Sequence, residues 1–321
     1  MAKREVGYQI PIPKGWPDSK YEATLQNLSP AKIELGRQLF YDPILSKDST
    51  ISCSSCHLQF TAFTHVDHDL SHGIDGRIGI RNSPVLINLA WSDLLMWDGA
   101  INHLDVQALA PISHPDEMGE DLPQVLTKLQ GTRRYPQWFK KAFGSDSITG
   151  EHLLKALAQF QLTLISANSK YDQVRRGDSG VAFTDQEMKG YQLFQKHCNN
   201  CHTEPLFTNH QFRNNGLPVD TTLNDWGRMR ISQSPADSLL FKVPTLRNIE
   251  FSYPYMHDGR FENLYDVLKH YSKGIQAHPT LSPELQEGIP LSSHDRIDLQ
   301  VFLLTLTDKE FLFNPKHSFP R

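Results

Sequence analysis

The sequence predicts a mainly α-helical protein built from two similar units in tandem. Three observations carry that reading. The 321 residues are long for one domain and comfortable for two. The pattern G-x-x-L-F followed by C-x-x-C-H occurs once in each half, as Gly36–Phe40 before Cys53–His57 and as Gly190–Phe194 before Cys198–His202. Apolar segments of helical period follow each copy, and neither half shows the run of alternating residues that strands need.

Each unit has a legible beginning and end. Ser29 is a good N-cap and Pro30 suits the first helical position; Thr184 is the matching cap in the second half. A glycine inside a helix costs about 1 kcal/mol. An ordinary amphipathic helix explains the Leu and Phe of both copies, but a matched glycine points to close helix packing. Glu151 to Ser166 is strongly apolar with helical period and is expected to close the first unit. Lys170 to Gly180, containing Arg-Arg-Gly-Asp-Ser-Gly, reads as a connection. Asp295 to Thr305 reads as the closing helix of the second unit, before a polar tail. The units are assigned to 20–168 and 180–310.

Hydrophobic residues make up 39% of the chain, enough for a core in each half. A net charge of −4 with 21% charged residues excludes the basic stripe of a nucleic-acid binder. No run of about 18 apolar residues is present to span a membrane. All four cysteines fall in the two C-x-x-C-H motifs, the attachment signature of c-type haem. Two thiols three residues apart share a helical turn, and each forms a thioether to a haem vinyl group. The histidine beside the second thiol then lies under the iron as its proximal ligand. A four-cysteine zinc site or two dithiol redox pairs would use the same cysteines, but neither requires a histidine directly after each pair. A helix, a haem-binding turn and later helices describe a class I cytochrome c-like domain, so two such domains related by an internal repeat, each with one haem c, are expected. Met1–Arg4 and the polar, Pro-rich stretch after it hold no apolar signal segment. Haem is attached to such proteins outside the bacterial cytoplasm, so a periplasmic protein whose leader has been removed is expected.

Over roughly Leu28 to Leu306, the order of motifs resembles the bacterial di-haem cytochrome c peroxidase family, which includes MauG. The matching segments are Ile51–His57, Gly79–Pro84, Trp97–Gly99, Gln107–Leu109, Pro115–Gly119, Cys198–His202, Val243–Asn248 and Pro254–Gly259. The resemblance implies an enzyme that reduces hydrogen peroxide to water with electrons from a small redox protein, a cytochrome c or a cupredoxin. The haem at His57 would break the O–O bond and the haem at His202 would receive electrons. Glu117 falls where the family has its acid/base carboxylate, Gln107 at the neighbouring glutamine and Trp97 at the tryptophan between the haems. Asn82, Ser252 and Pro254 fall where the family binds a calcium ion through oxygen ligands. The family is often dimeric.

Two positions depart from the common peroxidase pattern. Ile74 stands where many members have a histidine that caps the peroxidatic haem, so that haem is expected to be open without reductive activation. His65, His68 and His72 lie near but out of frame, with His72 the best substitute. Tyr271 stands where the peroxidases usually have a methionine ligand for the second haem, as in MauG-type proteins; Met256 and His270 are its rivals. A phenolate favours ferric iron. The alternative reading is therefore a MauG-like enzyme that turns peroxide-derived oxidising power on a protein side chain or a small substrate. A plain electron carrier would need neither Glu117 nor Gln107.

Overall fold

In a computed structural model, residues 8–21 and 28–320 are described. Helices dominate. The only strands among the described residues are two residues long: β1 (Phe212–Arg213) runs antiparallel to β2 (Phe241–Lys242). Four longer helices organise the rest: α1 (Pro30–Tyr41), α2 (Gly150–Leu162), α3 (Asp185–His197) and α4 (Ser293–Leu304).

The caps act as the sequence implies. Ser29 Oγ accepts from Lys32 N at 3.3 Å, with Pro30 following. Thr184 Oγ1 accepts from Glu187 N at 3.2 Å, and the Glu187 carboxylate returns to accept from Thr184 N at 2.6 Å. Each entry helix packs on the closing helix of its own half, α1 on α2 and α3 on α4. The matched glycines mark those contacts. A Cβ on Gly36 would lie 1.9 Å from Ala156 O, and one on Gly190 would lie 2.0 Å from Asp298 O. Helix propensity alone would have Gly→Ala stabilise by about 1 kcal/mol. Here Gly36→Ala and Gly190→Ala are each expected to destabilise by about 1–3 kcal/mol, because backbone must move to admit the methyl. Urea denaturation of the two variants checks the sign.

Two apolar cores result. The first gathers Leu39, Phe40, Phe63, Trp91, Leu157 and Phe160; the second gathers Phe194, Phe207, Leu264, Leu299 and Phe302. Each such side chain contributes about 1.5–3 kcal/mol on burial.

Two expectations need correcting. Lys170 to Gly180 is not simply a connection, because Lys170–Arg176 is a helix. Ser169 and Asp172 form its capping box, Gly177 ends it at φ +75°, and Asp172 is pinned by the buried Arg247. Nor is the tail after α4 simply polar. Phe311 and Leu312 are buried in the first core, with Phe311 against Phe63 at 6.0 Å between ring centroids. Asp308 holds the tail there by accepting from Ala167 N and Asn168 N, both at 2.9 Å. No described helix is long and apolar enough to cross a membrane.

Candidate haem sites

Cys53–Cys56 forms one helical turn, so both thiols share a face, and His57 N closes it on Cys53 O at 3.0 Å. The second motif turns the same way at the end of α3, with His202 N on Cys198 O at 2.8 Å. The four thiols are unpaired with one another. Burial pushes the Cys53 and Cys198 thiols up to about 12, and Cys56 to about 11. They sit as neutral thiols, the form that adds across a vinyl group.

Each motif histidine is fixed by its Nδ1. That atom faces Phe63 O at 2.7 Å in His57, and Phe207 O at 3.2 Å and Pro244 O at 3.1 Å in His202. Burial pulls both imidazoles down to about 4, leaving them neutral with Nε2 free for a metal. A backbone carbonyl on the far nitrogen is the usual partner of a metal-bound histidine. The repeat reaches further than the cysteine motifs. Thr64 Oγ1 donates to Ser83 O, ahead of Pro84, and Thr208 Oγ1 donates to Val243 O, ahead of Pro244. The Ser83-Pro84 and Val243-Pro244 segments thus carry the floor under each histidine. Met96-Trp97-Asp98-Gly99 and Met256-His257-Asp258-Gly259 are a further matched pair, each turning at a left-handed methionine (φ +69° and +79°).

Beside Cys198, Cys201 and His202 lies a largely apolar cavity lined by Leu246, Leu268 and Leu303. Free thiols, a histidine with one nitrogen tied back and an apolar hollow together fit a covalently held haem.

Glu117 lies close enough to Cys56 for its charge to raise that thiol. Burial, opposed by His114 and reinforced by Asp116, raises the Glu117 carboxyl above its ordinary value. Its turn is braced from the 71–77 loop. Ile74 N donates to Glu117 O at 2.8 Å, Arg77 Nη1 donates to Pro115 O at 3.1 Å, and a Cβ on Gly73 would lie 2.1 Å from Asp116 O. Gln107 ends a helix over Leu104–Gln107, with Nε2 3.6 Å from Met96 Sδ. Trp97 lines the cavity beside Cys198, Cys201 and His202 and donates Nε1–H to Asn82 O at 2.8 Å.

The family model for di-haem cytochrome c peroxidase matches residues 30–180. The methylamine utilization protein MauG of Methylorubrum extorquens is 35% identical over 301 residues, 90% of this chain and 82% of that protein. The cytochrome c551 peroxidase of Nitrosomonas europaea is 38% identical over 240 residues, 74% of this chain and 71% of that protein. The chain belongs to the di-haem cytochrome c peroxidase family. Among solved structures, a MauG-like protein associated with microbial copper homeostasis matches at TM-score 0.86 and 30% identity, covering 98% of this chain and 99% of that one. The di-haem peroxidase BthA from Burkholderia thailandensis shares the fold, at TM-score 0.75 and 22% identity over 91% of this chain and 90% of that one. As a member of the di-haem peroxidase family, the protein carries two covalently bound c-type haems.

In this di-haem peroxidase-family chain, Tyr271 lines the same cavity near Cys198 and Cys201, and burial pushes its phenol up to about 12. It lies in a π-helical turn, His270–Gly274, that continues the helix Leu264–Lys269. Such turns are rare and recur at functional positions. His270 is not part of that lining, and its Nε2 lies 2.9 Å from Asn215 O. Met256 lines the same cavity, its sulfur 3.4 Å from Asn215 Nδ2. Asn82, Ser252 and Pro254 border that cavity too, and Asn82 is held by bonds from its N to His257 O (2.7 Å) and from Nδ2 to Asp69 O (3.0 Å). Ile74 is buried against Gly119. His65, His68 and His72 are neighbours, stacked at 5.2 and 4.3 Å between successive centroids rather than converging on a point. Among the described residues no group of three or more His, Cys, Asp or Glu side chains is placed to hold a metal ion.

Two further participants left no clear mark in the sequence. Gly73 permits the close approach that positions Glu117, and Lys242 ties β2 to the Trp97 loop through Lys242 N to Trp97 O at 2.7 Å. A lone glycine or lysine looks ordinary until its tertiary neighbours are known.

Proposed function

We propose that the protein reduces hydrogen peroxide to water, taking two electrons and two protons per peroxide, with a small cytochrome c or cupredoxin as donor. The observation that carries this reading is Glu117, a desolvated carboxylate braced beside the first haem motif. When bound, the haem at Cys53, Cys56 and His57 supplies the iron that takes peroxide and the electrons that break its O–O bond. Glu117 moves a proton from the inner to the outer oxygen, and Gln107 orients the bound peroxide. Cys198, Cys201 and His202 would hold the haem that supplies the entry point for donor electrons, and Trp97 stands on the route between the two sites. With Ile74 in place of a capping histidine, the first site admits peroxide without reductive activation. Calcium held by Asn82, Ser252 and Pro254 would brace that route. The two cytochrome c-like domains span 20–168 and 180–310, and periplasmic location follows from the chemistry of haem attachment. The test is stoichiometry: reduced donor and peroxide are mixed with the holoenzyme, and two donor molecules oxidised per peroxide support the reading. Peroxide consumption with no donor oxidised overturns it.

A second reading is favoured by Tyr271: a MauG-like enzyme that oxidises a protein side chain or a small substrate. Tyr271 would offer a phenolate to the iron of a haem held at Cys198, Cys201 and His202, a ligand that would favour the ferric state and support highly oxidised ones. Tyr271→Phe is expected to shift the low-spin EPR and optical signals of the second haem while leaving the first unchanged. A long-wavelength methionine–iron band in the unaltered enzyme would assign the ligand to Met256 instead.

A further inference from the structure

The internal repeat continues past the closing helices. α2 is followed by Thr163 and α4 by Thr305, and each threonine Oγ1 donates back to a phenylalanine carbonyl, Phe160 O at 2.7 Å and Phe302 O at 2.6 Å. A few residues on, each half starts a short helix: Lys170–Arg176 after α2 and Lys309–Leu312 after α4. Each of these helices packs into the core of the other half. Tyr171 is buried in the second core, and Phe311 and Leu312 in the first. The two connections cross in contact, with Tyr171 N donating to Thr305 O at 3.0 Å and Ser166 Oγ to the Asp308 carboxylate at 3.2 Å. The halves have exchanged their last helices.

The exchanged side chains meet matching targets. Phe63 and Phe207 are the residues whose carbonyls face the Nδ1 of His57 and His202. Both are fully buried and both are left-handed, at φ +58° and +55°, a conformation that bulky residues keep only where their surroundings hold them. Two neighbours of each ring come from its own half: Phe40 and Phe160 for Phe63, Phe194 and Phe302 for Phe207. Another side is closed by the exchanged segment. Phe311 lies 6.0 Å and His317 6.4 Å from Phe63, and Tyr171 lies 4.7 Å from Phe207, all between ring centroids. The tail is tied down around this point: Gln59 Nε2 donates to Asn314 O at 2.8 Å, and Tyr41 OH to His317 O at 2.7 Å.

We propose that Phe311 and Tyr171 are positioning residues, each sent by one half of the chain to hold the motif histidine of the other through the carbonyl of Phe63 or Phe207. The inference needs a haem at each C-x-x-C-H motif but no particular reaction. A carbonyl held on the far nitrogen raises the basicity of a metal-bound imidazole, which favours ferric iron. Removing the ring that backs Phe63 or Phe207 lets the carbonyl move off Nδ1, and the ferrous form of that haem gains.

The experiment uses holoprotein carrying Phe311→Ala, Phe311→Leu, Tyr171→Leu or Tyr171→Phe, with the haem count by intact mass and spectroelectrochemical midpoints of both haems. Phe311→Ala is expected to favour ferrous iron at one haem about tenfold, a rise of about 59 mV for a one-electron couple. Phe311→Leu should move the same midpoint in the same direction by less. Tyr171→Leu should raise the other midpoint instead, and Tyr171→Phe, which keeps the ring, should stay near the unaltered protein. If Phe311→Ala fails to carry two haems, Phe311→Leu decides by the same readout. Midpoints that stay put in the Phe311 variants and in Tyr171→Leu, with both haems attached, overturn the proposal. Equal movement of both haems in either variant also overturns it, as the mark of a general loosening. An equal shift in Tyr171→Phe and Tyr171→Leu assigns the effect to the hydroxyl bond with Glu204 and removes Tyr171 from the proposal.

Discussion

Replacing Glu117 by glutamine is expected to lower kcat/KM for hydrogen peroxide by roughly 10²–10⁴-fold, the usual worth of a general acid/base. Glutamine keeps the shape of the side chain but cannot take up and return a proton. The turn that carries it does not depend on the carboxylate: Glu117 N donates to His114 O at 3.1 Å, Met118 N to Pro111 O at 3.2 Å, and Gly119 takes φ +61° against Ile74. Haem attachment and the spectra of the oxidised protein should therefore be unchanged. The pH profile adds a second signature. Burial holds the Glu117 carboxyl above its usual range, so the base forms only as pH rises through that raised value. The acid limb of kcat/KM should lie correspondingly high in the unaltered enzyme and be missing in the variant. Turnover that survives the substitution unchanged would remove Glu117 from the mechanism and bring back the plain electron carrier.

Arg247→Ala is expected to cost about 3–5 kcal/mol, because it strands a buried carboxylate. Arg247 is fully buried and grips Asp172 with two bonds, Nη1 to Oδ2 at 2.9 Å and Nη2 to Oδ1 at 2.8 Å. It also donates Nε–H to Pro205 O at 2.9 Å, and its guanidinium lies 4.6 Å from the Trp16 ring centre. The side chain thus joins the helix Lys170–Arg176, the segment after the second haem motif and the N-terminal stretch. A melting temperature lower by on the order of 10 °C is the corresponding reading for a chain this long. The double variant Arg247→Met with Asp172→Asn should lose less than the sum of the single changes, since no charge is then stranded. Burial pushes the Asp172 carboxyl up, but the Arg247 bond and charge, with Ser169, outweigh it and hold it below the usual range. The pair's contribution is therefore present above the unfolded carboxyl's pKa and lost as pH falls through the depressed folded value. Acid unfolding of Arg247→Ala should lack that step.

Much of this arrangement was legible because it is local. A cap and the helix it starts lie within four residues, as at Ser29 and Thr184, and two thiols and a histidine within five residues carry their own spacing. The matched glycines announced a close contact but not its partners, Ala156 and Asp298, which lie more than one hundred residues away in each half. The Lys170–Arg176 helix was hidden because Arg-Arg-Gly-Asp-Ser-Gly carries turn chemistry, while its anchor, Arg247, arrives from a distant segment. The burial of Phe311 and Leu312 was hidden for a similar reason: the first core that receives them is built from the other end of the chain.

By itself the sequence determined the helical class, the two haem attachment motifs with their matched upstream segments and the family resemblance, all written in short spacings. Only the tertiary structure decided which carbonyls tie back His57 and His202, which loop braces Glu117, and that Tyr271 rather than His270 faces the cavity. The physical reason is that desolvation and unmet hydrogen bonds are properties of what surrounds a side chain. Those surroundings come from segments far apart in the chain, and no spacing along the sequence records them.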